Sequence, residues 1–267
     1  MAGMGEFSFD RVAGDYGSKS LVQACAARKL IGLLEIGPHE SVLDVGCGPG
    51  HITRQLVDIT DGRVAGTDIS AGMISQAADA YPGIEFARVA AEDLDFDNEF
   101  DVVFCNSTLQ WFSDGARAVG GMHTALKRGG RLGLACPSTP DFAPWFNSIM
   151  DVVSRRPEIA PTYAHRRNPW FHLPDIDAYR DFFEKSGFRT SFIEIEHEVT
   201  LYTVEEAFGI FTTGAARGFI GCDYYDIELT DEYLEAFSRA VREEMESRAV
   251  EGAVEVDFNR LYYIAGK

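Results

Sequence analysis

The sequence holds only five cysteines in 267 residues, Cys25, Cys47, Cys105, Cys136 and Cys222, and no two of them form a C-x-x-C pair. An odd, scattered set speaks against a disulfide framework and against a zinc site, and no metal is expected. A reducing, cytoplasmic setting is the one such thiols predict. Nowhere do 18 apolar residues run together, and Met1 to Phe7 offers neither a basic start nor an apolar stretch, so no membrane span and no secretory leader are expected. Basic charge is scarce too: 24 Lys and Arg stand against 42 Asp and Glu, a net charge of −18. Such a field repels phosphate backbones and anionic lipid, which excludes nucleic acid and membrane surfaces as expected partners. Half of that excess lies in Cys222 to Phe258, with 12 acids against three arginines, and reads as a solvated helix face.

What is present is an ordinary globular composition, 46% apolar and 25% charged, without internal repeat or low-complexity tract. Apolar spacing predicts a helix over Ser18 to Glu35, stopped by Gly37 and Pro38. Short β-rich runs follow at Ser41 to Val45, Arg63 to Thr67, Ile84 to Val89, Asp101 to Cys105 and Arg131 to Cys136. Helical stretches separate them at His51 to Ile59, Ala71 to Ala80 and Asp114 to Lys127. Strands alternating with helices imply right-handed crossovers and a parallel sheet covered on both faces, an α/β doubly wound core.

Beyond Cys136 the rhythm changes, because seven of the ten prolines fall between Pro137 and Pro174. Short helices and loops are expected there. A helix over Ile176 to Ser186, a strand over Phe188 to Val199, helices over Val204 to Arg217 and Asp231 to Arg248, and a last strand over Val256 to Ala265 complete the reading.

The chemistry is concentrated in Val42-Leu43-Asp44-Val45-Gly46-Cys47-Gly48-Pro49-Gly50, three glycines where a buried strand turns sharply into a helix. Without Cβ atoms, backbone can approach a ligand closely. Asp68 ends the second strand 20 residues after Gly48, where a carboxylate can accept both hydroxyls of an adenosine ribose. A nicotinamide fingerprint needs glycine at the position of His51, and the spacing here is G-x-G-x-G. Adenosine without a pyrophosphate fits better.

At this point the sequence resembles class I S-adenosylmethionine-dependent methyltransferases. The nonapeptide is similar to their first motif, Thr67-Asp68-Ile69-Ser70 with Met73 to the next, Ala91-Glu92-Asp93-Leu94 to the adenine-contacting segment, Phe104-Cys105-Asn106 to the end of the fourth strand, and Leu126-Lys127-Arg128-Gly129-Gly130 to the turn before the fifth. Ala90 departs from the acid many relatives carry, and Arg128 from their proline. The resemblance implies a Rossmann-like, seven-stranded, mostly parallel sheet with a terminal antiparallel hairpin and a small helical cap after the fifth strand. It divides the chain into an N-terminal lid and helix (1–38), a cofactor-binding α/β core (39–136), the cap (137–175) and a C-terminal completion of the sheet with inserted helices (176–267). It implies S-adenosyl-L-methionine as cofactor, held by Asp44, Gly46, Cys47, Gly48, Gly50, Asp68, Ile69, Met73, Ala91, Glu92, Asp93 and Asn106.

The run Leu109-Gln110-Trp111 and the opening Phe9-Asp10-Arg11-Val12-Ala13-Gly14-Asp15-Tyr16 resemble a subgroup that includes malonyl-acyl-carrier-protein O-methyltransferases and trans-aconitate methyltransferases. Carboxylate methylation is implied, with Tyr16 as a lid residue and Gln110 and Trp111 framing the acceptor. In the bland alternatives, Tyr16 pins the first helix, Trp111 packs in the core and Gln110 caps a helix. Arg155, Arg156, His165, Arg166 and Arg167 lie within 13 residues, suited to holding a small carboxylate or an acidic carrier protein, or else to a solvated surface. A carboxylate is already ionised at neutral pH and needs no base. Hydroxyl, amine or carbon acceptors more often do, and His51, His123, His165, His172 and His197 are available, with His51 beside the glycine turn. A nicotinamide-dependent oxidoreductase and a non-catalytic cofactor-binding module are the rival classes.

Overall fold

The computed structural model describes residues 21–267. In chain order the elements are α1 (Leu21–Leu34), β1 (Val42–Val45), α2 (His51–Val57), β2 (Val64–Asp68), α3 (Ala71–Ala80), β3 (Glu85–Arg88), β4 (Phe100–Asn106), α4 (Gly115–Ala125), β5 (Leu126–Pro137), α5 (Pro144–Val153), α6 (Ala160–Tyr163), α7 (Ile176–Lys185), β6 (Arg189–Thr203), α8 (Val204–Thr213), α9 (Ala216–Ile220), α10 (Asp231–Ser247) and β7 (Ala253–Gly266). Short 3₁₀ turns stand at Ala91–Asp93, Leu109–Trp111 and Cys222–Tyr224.

Seven strands form one sheet in the order β3-β2-β1-β4-β5-β7-β6. The pairs β2–β3, β1–β2, β1–β4 and β4–β5 are parallel, and β7 runs antiparallel to β5 with Pro137 opposite Arg260 and Arg131 opposite Gly266. The expected α/β class, parallel core and antiparallel end are therefore all present. Local chemistry sets the helix starts: Ser70 accepts the Met73 N–H, Asp114 the Arg117 N–H and Asp175 the Ala178 N–H.

Two compact units divide the described chain: residues 21–140, 171–196 and 260–267 in one, and residues 141–170 and 197–259 in the other. The first is the α/β unit. One face of its sheet buries Leu43, Val103, Leu132 and Tyr263 with Val119 and Met122 of α4 and Tyr179 and Phe183 of α7. The other buries Val42, Phe104, Ala135, Tyr262 and Ile264 with Ala26, Leu30 and Leu34 of α1. This alternation along β7 follows from the two-residue period of a strand. The second unit has its own core, in which Phe146 and Ile149 of α5 meet Phe211, Phe219, Phe237 and Val241.

Three boundaries differ from the sequence reading. The helix expected to reach Lys127 ends at Ala125, because Leu126 already pairs with Phe100 as the start of β5. The single helix expected over Val204 to Arg217 is broken at Gly214 into α8 and α9. The proline-rich stretch 137–175 does not stand as a unit by itself, since 141–170 gathers with residues 197–259, roughly 30 to 120 positions further along. Contacts at that separation leave no local signature. No described helix is long and apolar enough to cross a membrane.

Candidate active site

The carboxyl ends of β1, β2 and β4 meet at the glycine turn. Beyond Val45 the chain reverses, and the N–H groups of Gly46 and Cys47 both donate to the Thr67 carbonyl, at 2.7 and 2.9 Å. The three glycines are there for different reasons. At Gly46 (φ +77°) a Cβ would lie 2.3 Å from the Thr108 side chain, and at Gly50 (φ +81°) it would lie 2.8 Å from Phe86. Packing against protein requires both. Gly48 (φ +54°) would meet nothing within 4 Å. It is the glycine whose bare face borders open space, as a cradle for a ligand requires.

Asp68, last residue of β2, closes this turn. Its Oδ2 accepts the Gly48 N–H at 3.0 Å and its Oδ1 the Ser70 N–H at 2.8 Å. Backbone N–H groups thus fix the orientation of this carboxylate beside the turn. Next to it Ile69 is 64% exposed, a large apolar side chain left open beside the turn. Asp44 lies beneath the turn, buried, accepting from Thr53 Oγ1 at 2.7 Å. Burial lifts its pKa to about 7, with Asp68 adding repulsion and Thr53 opposing. Cys47 and Met73 are buried, and burial pushes the Cys47 thiol up.

The expected adenine segment is committed in a different way. Glu92 Oε1 accepts from the Ser113 N–H at 2.7 Å, the Ser113 hydroxyl at 2.9 Å and the Asp114 N–H at 3.2 Å. Burial works against ionisation of Glu92, yet the donated N–H and hydroxyl groups outweigh it and hold its pKa below the usual range. Asp93 pairs with Arg117 at 2.7 Å on the surface, and Ala91 is buried in the core. Neither acid reaches toward the glycine turn by these contacts, because both fasten the 3₁₀ turn to the start of α4.

At the end of β4, Asn106 and Gln110 are buried. Asn106 Nδ2 donates to the Gln23 carbonyl of α1 at 3.1 Å, and Gln110 Nε2 to the Ser107 carbonyl at 2.8 Å. Asn106 Oδ1, Gln110 Oε1 and Ser107 Oγ are buried with no hydrogen-bond partner among the described residues. Ser107 itself has φ +58°, a left-handed conformation uncommon outside glycine and often found at functional turns. Trp111 is partly buried in the same 3₁₀ turn. His51 Nδ1 meets the Tyr81 hydroxyl at 2.8 Å. Tyr16 lies outside the described residues.

The other histidines lie elsewhere. His123 packs edge-on against Phe188, His165 meets Asp226 at 2.7 Å, and His197 meets Asn259 at 2.9 Å. The basic cluster in the proline-rich stretch is likewise drawn into internal contacts of its own unit. Arg156 pairs with Glu243 at 2.7 Å, and Arg166 sits over the rings of Trp170 and Phe219, at 5.1 and 4.8 Å, while donating to the Gly218 carbonyl. Arg155 and Arg167 are exposed. One cluster in sequence is thus several separate roles in space. Sequence reasoning missed Arg260, which is 4% exposed at the start of the sheet-bound half of β7. Asp257 and Asn259 precede it in the same strand, so one more polar residue there carries no local signal of its burial.

Comparison with known proteins matches the architecture. The Methyltransferase domain family fits residues 43–134. Trans-aconitate 2-methyltransferase of Rhodopseudomonas palustris (strain BisB18) is 30% identical over 249 residues, spanning 90% of this chain and 93% of that protein. The chain belongs to the S-adenosylmethionine-dependent methyltransferases. A second relative of this methyltransferase, the malonyl-[acyl-carrier protein] O-methyltransferase of Acetivibrio thermocellus, is 34% identical over 132 residues, about half of each chain at 48% and 47%. Among solved structures, a Bacillus halodurans C-125 protein assigned as a methyltransferase superposes with a TM-score of 0.62 at 18% identity, covering 91% of this chain and 99% of that one. That likeness is one of fold. The open face of Gly48, the backbone-oriented Asp68 and the exposed Ile69 fit the nucleoside of S-adenosyl-L-methionine.

Proposed function

We propose that this methyltransferase O-methylates a small, free carboxylic acid. The observation carrying the proposal is the similarity to a trans-aconitate 2-methyltransferase along 90% of the chain rather than along the cofactor half alone. When bound, S-adenosyl-L-methionine would supply an electrophilic methyl group: its S–CH3 bond would break as an O–CH3 bond forms to the carboxylate, giving a neutral methyl ester and neutral S-adenosylhomocysteine. The chain's own part is to bind and align. Gly48 gives the cofactor backbone access, Asp68 holds the ribose diol and Ile69 covers the adenine, while Gln110 and Trp111 border the acceptor with Tyr16 as a candidate lid.

The chemistry suits these residues. A carboxylate with a pKa near 4 is already an anion at neutral pH, so no proton need be removed at the reacting oxygen. Alignment and exclusion of water supply the acceleration. His51, tied to Tyr81, is then a structural neighbour of the turn and not a base. A carrier-bound acceptor is less well supported, because Arg156 and Arg166 of the basic cluster have internal partners. Five cysteines without an expected framework fit a cytoplasmic setting.

Incubation with methyl-labelled S-adenosyl-L-methionine and separate panels of carboxylic acids, amines and phenols tests the proposal. A base-labile methyl ester formed only in the acid panel is the expected product. Transfer confined to amines or phenols overturns it, and binding without transfer to any panel would point to a non-catalytic module.

A further inference from the structure

In the second unit, one face of the neighbouring strands β6 and β7 is left uncovered. Along β6, Tyr202 packs against that unit's core, so Val199 and Leu201 at the alternate positions point away from it. Along β7, Val254 and Val256 are buried in the same core, and Glu255 and Asp257 face the other way. The start of α5 closes one side, where Asp257 Oδ1 accepts the Trp145 N–H at 2.8 Å. The result is an open groove of about 1010 Å³ whose lining includes Trp145, Val199, Leu201, Val250, Glu251 and Glu255. None of these is a cofactor or acceptor candidate.

The lining is both apolar and strained. Leu201 is 67% exposed and Val250 75%, and with Val199 they make three of the seven large apolar side chains left exposed among the described residues. Apolar side chains gathered in one exposed groove mark an interaction surface. The turn that carries Val250 is held at a cost. Val250 and Ala253 each donate a backbone N–H to the other's carbonyl, at 2.9 and 3.0 Å, and the two residues between them, Glu251 (φ +52°) and Gly252 (φ +80°), are both left-handed. So tight a turn favours asparagine at its first central position, and a glutamate there gives up stability. What the glutamate adds is a charge beside the apolar wall.

Charge decides what covers this face. Glu251 and Glu255 are exposed, while Arg248, the basic residue of the lining, is committed to Glu244 at 2.8 Å and to Ser148. Residues 141–170 and 197–259 contain no lysine at all. A second copy of the chain would bring the same acids against these, and an anionic lipid surface would be repelled. We propose that the groove docks a basic segment of another protein, its apolar side chains against Trp145, Leu201 and Val250 and its lysines or arginines against Glu251 and Glu255. The volume stands at the top of the range for small-molecule cavities, and walls this exposed suit a peptide rather than an enclosed ligand. The surface is independent of the acceptor's identity.

Calorimetry on the full chain at about 150 mM salt tests this with capped synthetic peptides. One has a leucine centre and lysine ends, a second the same centre with glutamate ends, and a third a serine centre with lysine ends. The first should bind at least about tenfold more tightly than either control, because it alone supplies both charge and apolar area. Its binding should shift tryptophan emission, and Trp145→Phe should remove the shift. Glu251→Lys with Glu255→Lys should weaken it about tenfold, and Leu201→Ser with Val250→Ser by a similar factor. Glu232→Lys with Glu235→Lys makes the same change in net charge on α10, outside the lining, and should alter the affinity less than about twofold. Glu251→Asn should raise stability to urea while weakening the peptide about threefold.

Equal affinity for the first peptide and either control overturns the inference. So does an equal loss from the reversal on α10, which would make binding a property of net charge and not of the groove. A wild-type dimer that Leu201→Ser with Val250→Ser dissociates in sedimentation would assign the face to a second copy and likewise overturn it. If the groove variants do not fold, the peptide comparison and the emission shift on wild-type protein still decide the matter.

Discussion

Gly48 donates its backbone N–H to Asp68 Oδ2 at 3.0 Å, joining the turn after β1 to the end of β2 across 20 residues of sequence. The open side of the turn and the acid beside it are thereby held in one geometry before any ligand arrives. Asp68→Ala is expected to weaken S-adenosyl-L-methionine binding by about 1.5–3 kcal/mol, the usual worth of charged hydrogen bonds. Calorimetry reads this directly. An unchanged affinity in a folded variant would remove Asp68 from the ribose site.

The glycines of the turn should separate by phenotype. Gly48→Ala adds a methyl to open space at φ +54°, so its stability loss should be near 1–2 kcal/mol, with a larger fall in cofactor affinity. Gly46→Ala drives a Cβ to within 2.3 Å of Thr108 and should cost stability first. Chemical denaturation beside calorimetry distinguishes the two, and equal stability losses would refute the distinction.

Asp44 provides a pH test. Its folded pKa of about 7 lies above that of an unfolded aspartate, so the native state binds the extra proton between about pH 4 and 7. Stability from this group is present at the acid side and falls as pH rises through that window. Asp44→Asn keeps an oxygen to accept from Thr53 and removes the charge. Its unfolding free energy should exceed that of the wild type by an amount that grows with pH and levels off above pH 7, of order a few kcal/mol at a little over 1 kcal/mol per unit. A pH-independent difference in urea titrations at pH 5 and 8 would contradict the assignment.

The basic cluster should behave as parts of a scaffold. Arg166→Ala loses the carbonyl of Gly218 and the faces of Trp170 and Phe219, and is expected to destabilise by roughly 2 kcal/mol. Arg155→Glu and Arg167→Glu, on exposed positions, should stay within about 0.5 kcal/mol and leave the acceptor KM unaltered at low salt. A several-fold rise in that KM with each reversal would restore the cluster as an anion-docking surface.

Chelators should leave turnover intact, since an ionised carboxylate acceptor asks for no Lewis acid. Steady-state rates after dialysis against a chelator check this. Loss of activity restored by zinc or magnesium would count against carboxylate chemistry.

By itself the sequence determined the α/β class, the strand and helix order, the glycine turn and its acid. These are local properties: apolar period, turn residues and a motif within nine consecutive positions. Val42 to Gly50 and Asp68 carry their meaning in spacing alone, because the βα turn is built from neighbours in the chain. What only the tertiary structure decided depends on pairings between distant residues. Glu92 faces the start of α4, Arg166 is enclosed by Trp170 and Phe219, and Arg260 reaches the working edge of the sheet only because β7 enters antiparallel to β5. Glu92 meets Ser113 21 residues on, Arg166 meets Gly218 52 residues on, and Arg260 pairs across from Pro137 more than a hundred residues back, separations that local sequence patterns do not encode.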